Sequence, residues 1–269
     1  MNHNLTEAHK LLASRASDYL RLADRGELVC GNFLTPEEAA YTETVFREER
    51  AAERVFFFGG FRDAERKRIF VLPDFLSDMD GGAEEKARDY FPDEFLASVK
   101  AIKIMGSGYR ELSHRDYLGS VLSLGIERSS VGDIVVLDPY SAVIFCTDKI
   151  FDYLMSGTER IASDKVSLCE FVPDENFGAR REFMPIRDTV ASGRLDCVVG
   201  ALANLSREKA QNLIRSGLCE VNYILEDRVD VTVKAPCTIT LRGHGKYNVL
   251  VFDGETKRGR LRLVAQKYV

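Results

Sequence analysis

The chain has 269 residues, 45% hydrophobic and 29% charged, with 20 Gly and 7 Pro; that is material for two or three domains and excludes a collagenous, low-complexity or wholly disordered chain. The net charge of −5 hides an asymmetry: residues 180–269 carry 16 Lys and Arg against 10 Asp and Glu, a balance of +6, which leaves −11 for residues 1–179. A basic third on an acidic body is the pattern of a nucleic-acid-binding module or of a solvated basic face. No apolar run approaches the roughly 20 residues of a membrane span, and the start, Met1-Asn2-His3-Asn4-Leu5-Thr6-Glu7, carries no basic segment followed by an apolar stretch, so a soluble, cytoplasmic chain is expected.

Leu5, Ala8, Leu11, Leu12, Ala16, Tyr19, Leu20 and Ala23 recur every three or four residues and predict a helix that Gly26 stops. Thr35-Pro36-Glu37-Glu38 starts a second, with a capping hydroxyl, a proline in the first turn and a carboxylate that can bond back to the cap. Val55–Phe58, ended by Gly59-Gly60, and Arg68–Leu72, ended by Pro73, predict two strands. The loop between them, from Phe61, holds Arg62, Arg66, Lys67 and Arg68. It reads either as a grip on a phosphate backbone or as a solvated face. The polar, acidic stretch 78–94, with Gly81-Gly82 and Pro92, predicts a domain boundary near 80–90.

Beyond it, a strand Val99–Met105, a helix Arg115–Leu124, strands Asp133–Leu137 and Ala142–Cys146, a helix Lys149–Ile161 and a strand Lys165–Phe171 give the order β-α-β-β-α-β. This is the ferredoxin-like split motif that many RNA-recognition domains use, and it hosts unrelated activities. The aromatic consensus of RNA-recognition motifs is missing; Phe145 stands alone on its strand and reads as core. His114-Arg115-Asp116-Tyr117 echoes a kinase catalytic loop, but Val121 occupies the magnesium-binding position and no other kinase element accompanies it. Gly106-Ser107-Gly108 has Glu111 where a dinucleotide fingerprint needs a third glycine. The cysteines (Cys30, Cys146, Cys169, Cys197, Cys219, Cys237) stand singly and the histidines have no ligand-spaced partner, so no metal and no cofactor are expected.

Toward the C-terminus Leu195, Val198, Val199 and Leu202 form a helical stripe. Ser206 caps a second helix in which Ala210, Leu213 and Ile214 face the core and Arg207, Lys209, Gln211 and Arg215 are left for other faces; Gly217 stops it. A strand Leu218–Tyr223 follows. Arg242-Gly243-His244-Gly245-Lys246-Tyr247 offers cations, an aromatic and close backbone approach to a nucleic acid, or is a tight turn.

These residues resemble the S-four-type RNA-binding domain, in Arg194-Leu195-Asp196, Ser206-Arg207-x-x-Ala210-x-x-Leu213-Ile214, Gly217 and Val221-Asn222. The resemblance implies RNA binding by Arg194, Ser206, Arg207, Lys209, Gln211, Arg215 and Asn222, joined by Arg242, His244, Lys246 and Tyr247 and by the cationic loop (Arg62, Arg66, Lys67, Arg68). Where that family has a Gly-Asp turn, this chain has Lys234-Ala235-Pro236-Cys237. From about residue 55 onward the chain is also similar to the YlmH-type bacterial RNA-binding proteins, through Phe58-Gly59-Gly60, Ala64-Glu65-Arg66-Lys67-Arg68, Leu72-Pro73-Asp74, His114 to Ser120, Leu124-Gly125-Ile126, Gly132-Asp133-Ile134 and Arg242-Gly243-x-Gly245-Lys246-Tyr247.

That likeness implies an α+β chain of three parts: an N-terminal α/β domain (1–85), a ferredoxin-like middle domain (86–178) and the S-four-type domain (179–269). It implies a monomer that associates with ribosomal RNA of the large subunit and with peptidyl-tRNA on stalled subunits, and that takes no DNA or membrane partner. Two rivals are a pseudouridine synthase, whose Gly-Arg-Leu-Asp motif appears as Gly193-Arg194-Leu195-Asp196, and a scaffold that binds protein through its acidic body. The first is disfavoured because the motif runs on as Cys197-Val198-Val199 and sits where the RNA module needs it. With no acid/base pair, nucleophile triad or phosphate loop, a non-catalytic chain is expected.

Overall fold

The computed structural model describes residues 7–178 and 183–268; His3 and Leu5 lie outside them. The chain divides into two compact units, Met1–Arg180 and Arg181–Val269.

In the first unit, α1 (Glu7–Ala23), β1 (Val29–Leu34), α2 (Pro36–Glu48), β2 (Val55–Phe58) and β3 (Lys67–Val71) build a three-stranded sheet in the order β1-β3-β2. The expected capping box on α2 is present: Glu38 N donates to Thr35 Oγ1 at 3.2 Å and Thr35 N to Glu38 Oε2 at 2.7 Å. Leu12, Ala16 and Ala23 pack with Phe46, Ile69 and Val71, so these residues of the periodic stripe mark the buried face of α1, while Leu11 of the same stripe is exposed. The acidic stretch 78–94 holds two helices, α3 (Ala83–Tyr90) and α4 (Pro92–Ser98).

There follow β4 (Val99–Gly106), α5 (His114–Ser123), β5 (Val131–Asp138), β6 (Ser141–Thr147), α6 (Asp148–Gly157), β7 (Arg160–Ile161) and β8 (Asp164–Phe171). The five-stranded sheet has the order β5-β6-β4-β8-β7, with its neighbours antiparallel. Each helical crossover, β4-α5-β5 and β6-α6-β8, therefore spans one intervening strand. The helix expected to run to Ile161 stops at Gly157, and Arg160–Ile161 pairs with β8 instead. Tyr117, Val121 and Leu154 of the two helices pack on Ile102, Ile104 and Ile144. On the opposite face Phe33, Phe61 and Ala64 cover Ala101, Val143 and Phe145. Phe145 is fully buried there, its ring 4.8 Å from that of Phe61.

The second unit holds β9 (Phe183–Val190), α7 (Leu195–Ala203), α8 (Arg207–Arg215), β10 (Cys219–Val221), β11 (Ile224–Leu225), β12 (Cys237–Leu241), β13 (Gly245–Glu255) and β14 (Leu261–Tyr268). Its sheet has the order β11-β10-β12-β13-β14-β9. Both helices cover one face, where Leu195, Val198, Leu213 and Ile214 meet Ile239, Tyr247, Val249 and Leu263. The expected strand Leu218–Tyr223 is cut short by a two-residue hairpin turn: Val221 pairs Ile224, and Asn222 and Tyr223 take φ of 51° and 65°. Positive φ at both central residues is the backbone that matches the twist of a tight hairpin.

Candidate nucleic-acid interface

The site grows from one carboxylate. Arg194 precedes α7, and Leu195 N and Asp196 N donate to Val231 O and Val229 O, at 2.8 and 3.0 Å. The Asp196 side chain is thereby placed under the junction of the two helices with 0% exposure. It accepts from Arg194 Nε at 3.1 Å and Nη2 at 3.3 Å, from Arg207 Nε at 3.1 Å and from Gln211 Nε2 at 2.7 Å. Burial by itself raises its pKa, but hydrogen bonds from Arg194, Gln211 and Arg207 outweigh that and hold the carboxyl well below the usual range. Both cations still face water, the Arg207 side chain being 64% and that of Arg194 38% exposed. A buried anion thus holds two guanidinium groups and an amide in a fixed fan at the surface.

Ser206 caps α8, its Oγ accepting from Lys209 N at 3.3 Å, so this hydroxyl is engaged with the helix. Lys209 and Arg215 are exposed, while Ala210, Leu213 and Ile214 are buried, as the helical period requires. Asn222 uses its side-chain oxygen inside the turn, accepting from Thr238 N at 3.0 Å. Arg242 and His244 are exposed in the hairpin loop between Leu241 and Gly245, and Arg242 N donates to Leu218 O just past the end of α8. The tight-turn reading of that segment describes its backbone. Lys246 is half-buried on β13, its ammonium 4.8 Å from the ring centres of both Tyr223 and Tyr268.

Three of the expected contacts are corrected. Tyr247 is 2% exposed within the core under the helices, where burial raises its phenol pKa; it has no face to stack on a base. Arg66 donates inward to Val131 O at 3.1 Å and to Phe33 O and Arg128 O at 3.3 Å. Arg68 is 4% exposed, donating to Gly31 O at 2.6 Å, to Ser98 O and to Asp148 at 3.3 Å. Both tie the three-stranded sheet to its neighbours rather than reaching a ligand. Asp133 completes this clasp by accepting from Glu65 N at 2.6 Å and Arg66 N at 3.0 Å. Lys67 is half-buried on β3. Arg62 is exposed beside a cleft of about 550 Å³ that Phe58, Phe95, Arg88 and Lys100 also line.

His114-Arg115-Asp116 starts a helix: Asp116 Oδ2 accepts from Ser113 N at 2.8 Å, closing a capping box. Among the described residues no cluster of three His, Cys, Asp or Glu could hold a metal ion, and no helix is long and apolar enough to cross a membrane.

A solved structure, the cell division protein YlmH from Streptococcus pneumoniae, is similar with a TM-score of 0.46 at 20% identity, over 64% of this chain and 95% of that one. Residues 92–175 match the family described as "Putative RNA-binding domain in YlmH". The ribosome-associated protein quality control protein P2 of Bacillus subtilis (strain 168) is 26% identical over 238 residues, 88% of this chain and 86% of the relative. The chain is similar to the YlmH-type RNA-binding proteins. The family match runs from α4 through the five-stranded sheet, and the fan around Asp196 lies outside it, in the second unit. Tyr223, Asn248 and Tyr268 escaped the sequence reading. The signal for the last of these was the alternation of buried Leu263 and Ala265 with Arg262, Val264, Gln266 and Tyr268, which puts the second set on one face of a strand.

Proposed function

We propose that the protein is a non-catalytic RNA-binding protein that docks on ribosomal RNA of the large ribosomal subunit and acts in quality control of stalled subunits that retain peptidyl-tRNA. In this reading residues 179–269 are an S-four-type module and make the main contact. The ferredoxin-like middle domain (86–178) and the N-terminal domain (1–85) form the body of a cytoplasmic monomer. The observation that carries it is the fan around Asp196: Arg194, Arg207 and Gln211 are fixed at the surface by one buried carboxylate, with Lys209 and Arg215 exposed on the same helix pair. Fixed guanidinium and amide groups beside free cations suit phosphate oxygens and 2′-hydroxyls. The +6 balance of residues 180–269 and the printed function of the Bacillus subtilis relative support it. A pseudouridine synthase would need Asp196 as a nucleophile, and the burial of that carboxylate among three side-chain donors favours the non-catalytic reading.

Co-sedimentation with separated ribosomal subunits across a salt series tests the proposal. The native chain is expected to pellet with the large subunit in a salt-sensitive manner. An Arg207→Gln, Arg215→Glu variant is expected to lose most of that binding, with a salt slope lower by about one unit for each phosphate contact removed. Glutamine is chosen at 207 because a glutamate would oppose Asp196. Binding to neither subunit, or equal binding by the variant, would overturn the proposal.

A further inference from the structure

The helices α7 and α8 cover one face of the six-stranded sheet. The pairing register defines the other, because directly paired residues share a face. Thr240 pairs Lys246 and Thr238 pairs Asn248; Asn248 pairs Gln266; Tyr268 pairs Phe183, Gln266 pairs Pro185, Val264 pairs Arg187 and Arg262 pairs Thr189. None of these residues belongs to the core beneath the helices, and Phe183 is 38% exposed.

The side chains of this face are organised. Lys246 lies between the rings of Tyr223 and Tyr268, 4.8 Å from each centre. The Phe183 and Tyr268 ring centres are 5.0 Å apart. Asn248 Nδ2 donates to the Tyr268 hydroxyl at 3.1 Å, and Thr238 Oγ1 donates to Asn248 Oδ1 at 3.1 Å. Arg187 and Arg262 are exposed at the far end. The paired rows thus carry Lys246, Arg187 and Arg262 against the carboxylate of Glu220, which pairs Thr240.

We infer that this sheet face binds an extended single strand of RNA, as a second surface separate from the fan around Asp196. Aromatic rings can stack unpaired bases whatever their identity, and cations beside them follow the backbone. Amide and hydroxyl groups such as Gln266, Asn248 and Thr240 can meet base edges and 2′-hydroxyls. A helical duplex keeps its bases closed to such rings. The net positive charge and the polar central row select a polyanion over an apolar protein segment. The inference stands apart from the ribosomal docking proposal, since it uses other residues on another face.

The test is fluorescence anisotropy with a labelled, unstructured adenine-rich RNA dodecamer at low salt, with 4-thiouridine placed in the same oligomer for crosslinking. The native chain is expected to bind, and Tyr223→Ala with Tyr268→Ala to weaken binding about tenfold or more. Lys246→Met, which keeps the aliphatic stem, is expected to weaken it and to flatten the salt dependence. The Arg207→Gln, Arg215→Glu variant is expected to bind the dodecamer as the native chain does, so failure here and failure of ribosomal docking are read separately. Crosslinks are expected in β13 and β14, a readout that needs no variant to fold. No binding by the native chain, equal binding by the tyrosine variant, or crosslinks confined to other elements would each overturn the inference. So would a native dimer that the tyrosine variant converts to a monomer, which would make the face a contact between two copies.

Discussion

Single side chains decide what the cations of this protein are available to do. Asp196 is the centre of one network, and its folded-state pKa lies below the free value of about 3.9. A depressed carboxyl contributes stability that is complete above the unfolded value and is lost as pH falls through the folded one. Asp196→Asn is therefore expected to lower stability by about 2–4 kcal/mol at neutral pH, read from urea denaturation midpoints. The gap between native and variant should hold from pH 7 to about pH 5 and narrow only below about pH 4. Arg68 is the centre of another network, donating to Gly31 O, Ser98 O and Asp148 from a nearly closed site. Arg68→Ala leaves those acceptors without their donor and is expected to cost about 3–5 kcal/mol. A loss below 1 kcal/mol would return Arg68 to the surface cations.

At the level of elements, the loop from Gly59 to Arg66 closes over the five-stranded sheet only because Gly60 has no side chain. Its φ is +99°, and a Cβ there would run into the Phe145 ring. Gly60→Ala is expected to destabilise by on the order of 3 kcal/mol, with the loss of near-ultraviolet signal from the packed phenylalanines as the readout. This cover was not legible in the sequence, where the loop read either as a phosphate grip or as a solvated face; what Phe61 and Arg66 touch is set by Phe145, Phe33, Val131 and Asp133, distant along the chain. Elements with a local signature were legible: the capped helices α2 and α8, the stripe of α7, and the split order of the middle strands. The strands β1 and β9 were not. Gly31 breaks the pattern of β1 because a Cβ there would strike Ile69 and the Tyr19 hydroxyl, and β9 owes its place to pairing with β14. Nor were α3 and α4, whose acidic surfaces bury little beyond Lys86, Ala87, Phe95 and Ser98. At the site the cation positions were readable, while the sharing of Asp196 by Arg194, Arg207 and Gln211 needed two helices to meet.

Across the whole molecule each unit closes its own core, the second around Ile239 and Tyr247 and the first around four further clusters. Ile239→Ala is expected to cost about 2–5 kcal/mol and to lower amide-exchange protection in β12 and β13, while β4 and β6 keep theirs. A parallel loss in both sheets would show that the units unfold together. The widest sheet also ends in a way that bears on behaviour at high concentration. Its outer strands are β11, two residues long, and β9, which carries Pro185 in mid-strand and the charged Arg187 and Asp188. A two-residue edge offers almost no ladder to extend, and a proline among charges withholds a donor from any strand arriving at the other side. The second unit can therefore expose a broad sheet face to water without its edges becoming templates for aggregation.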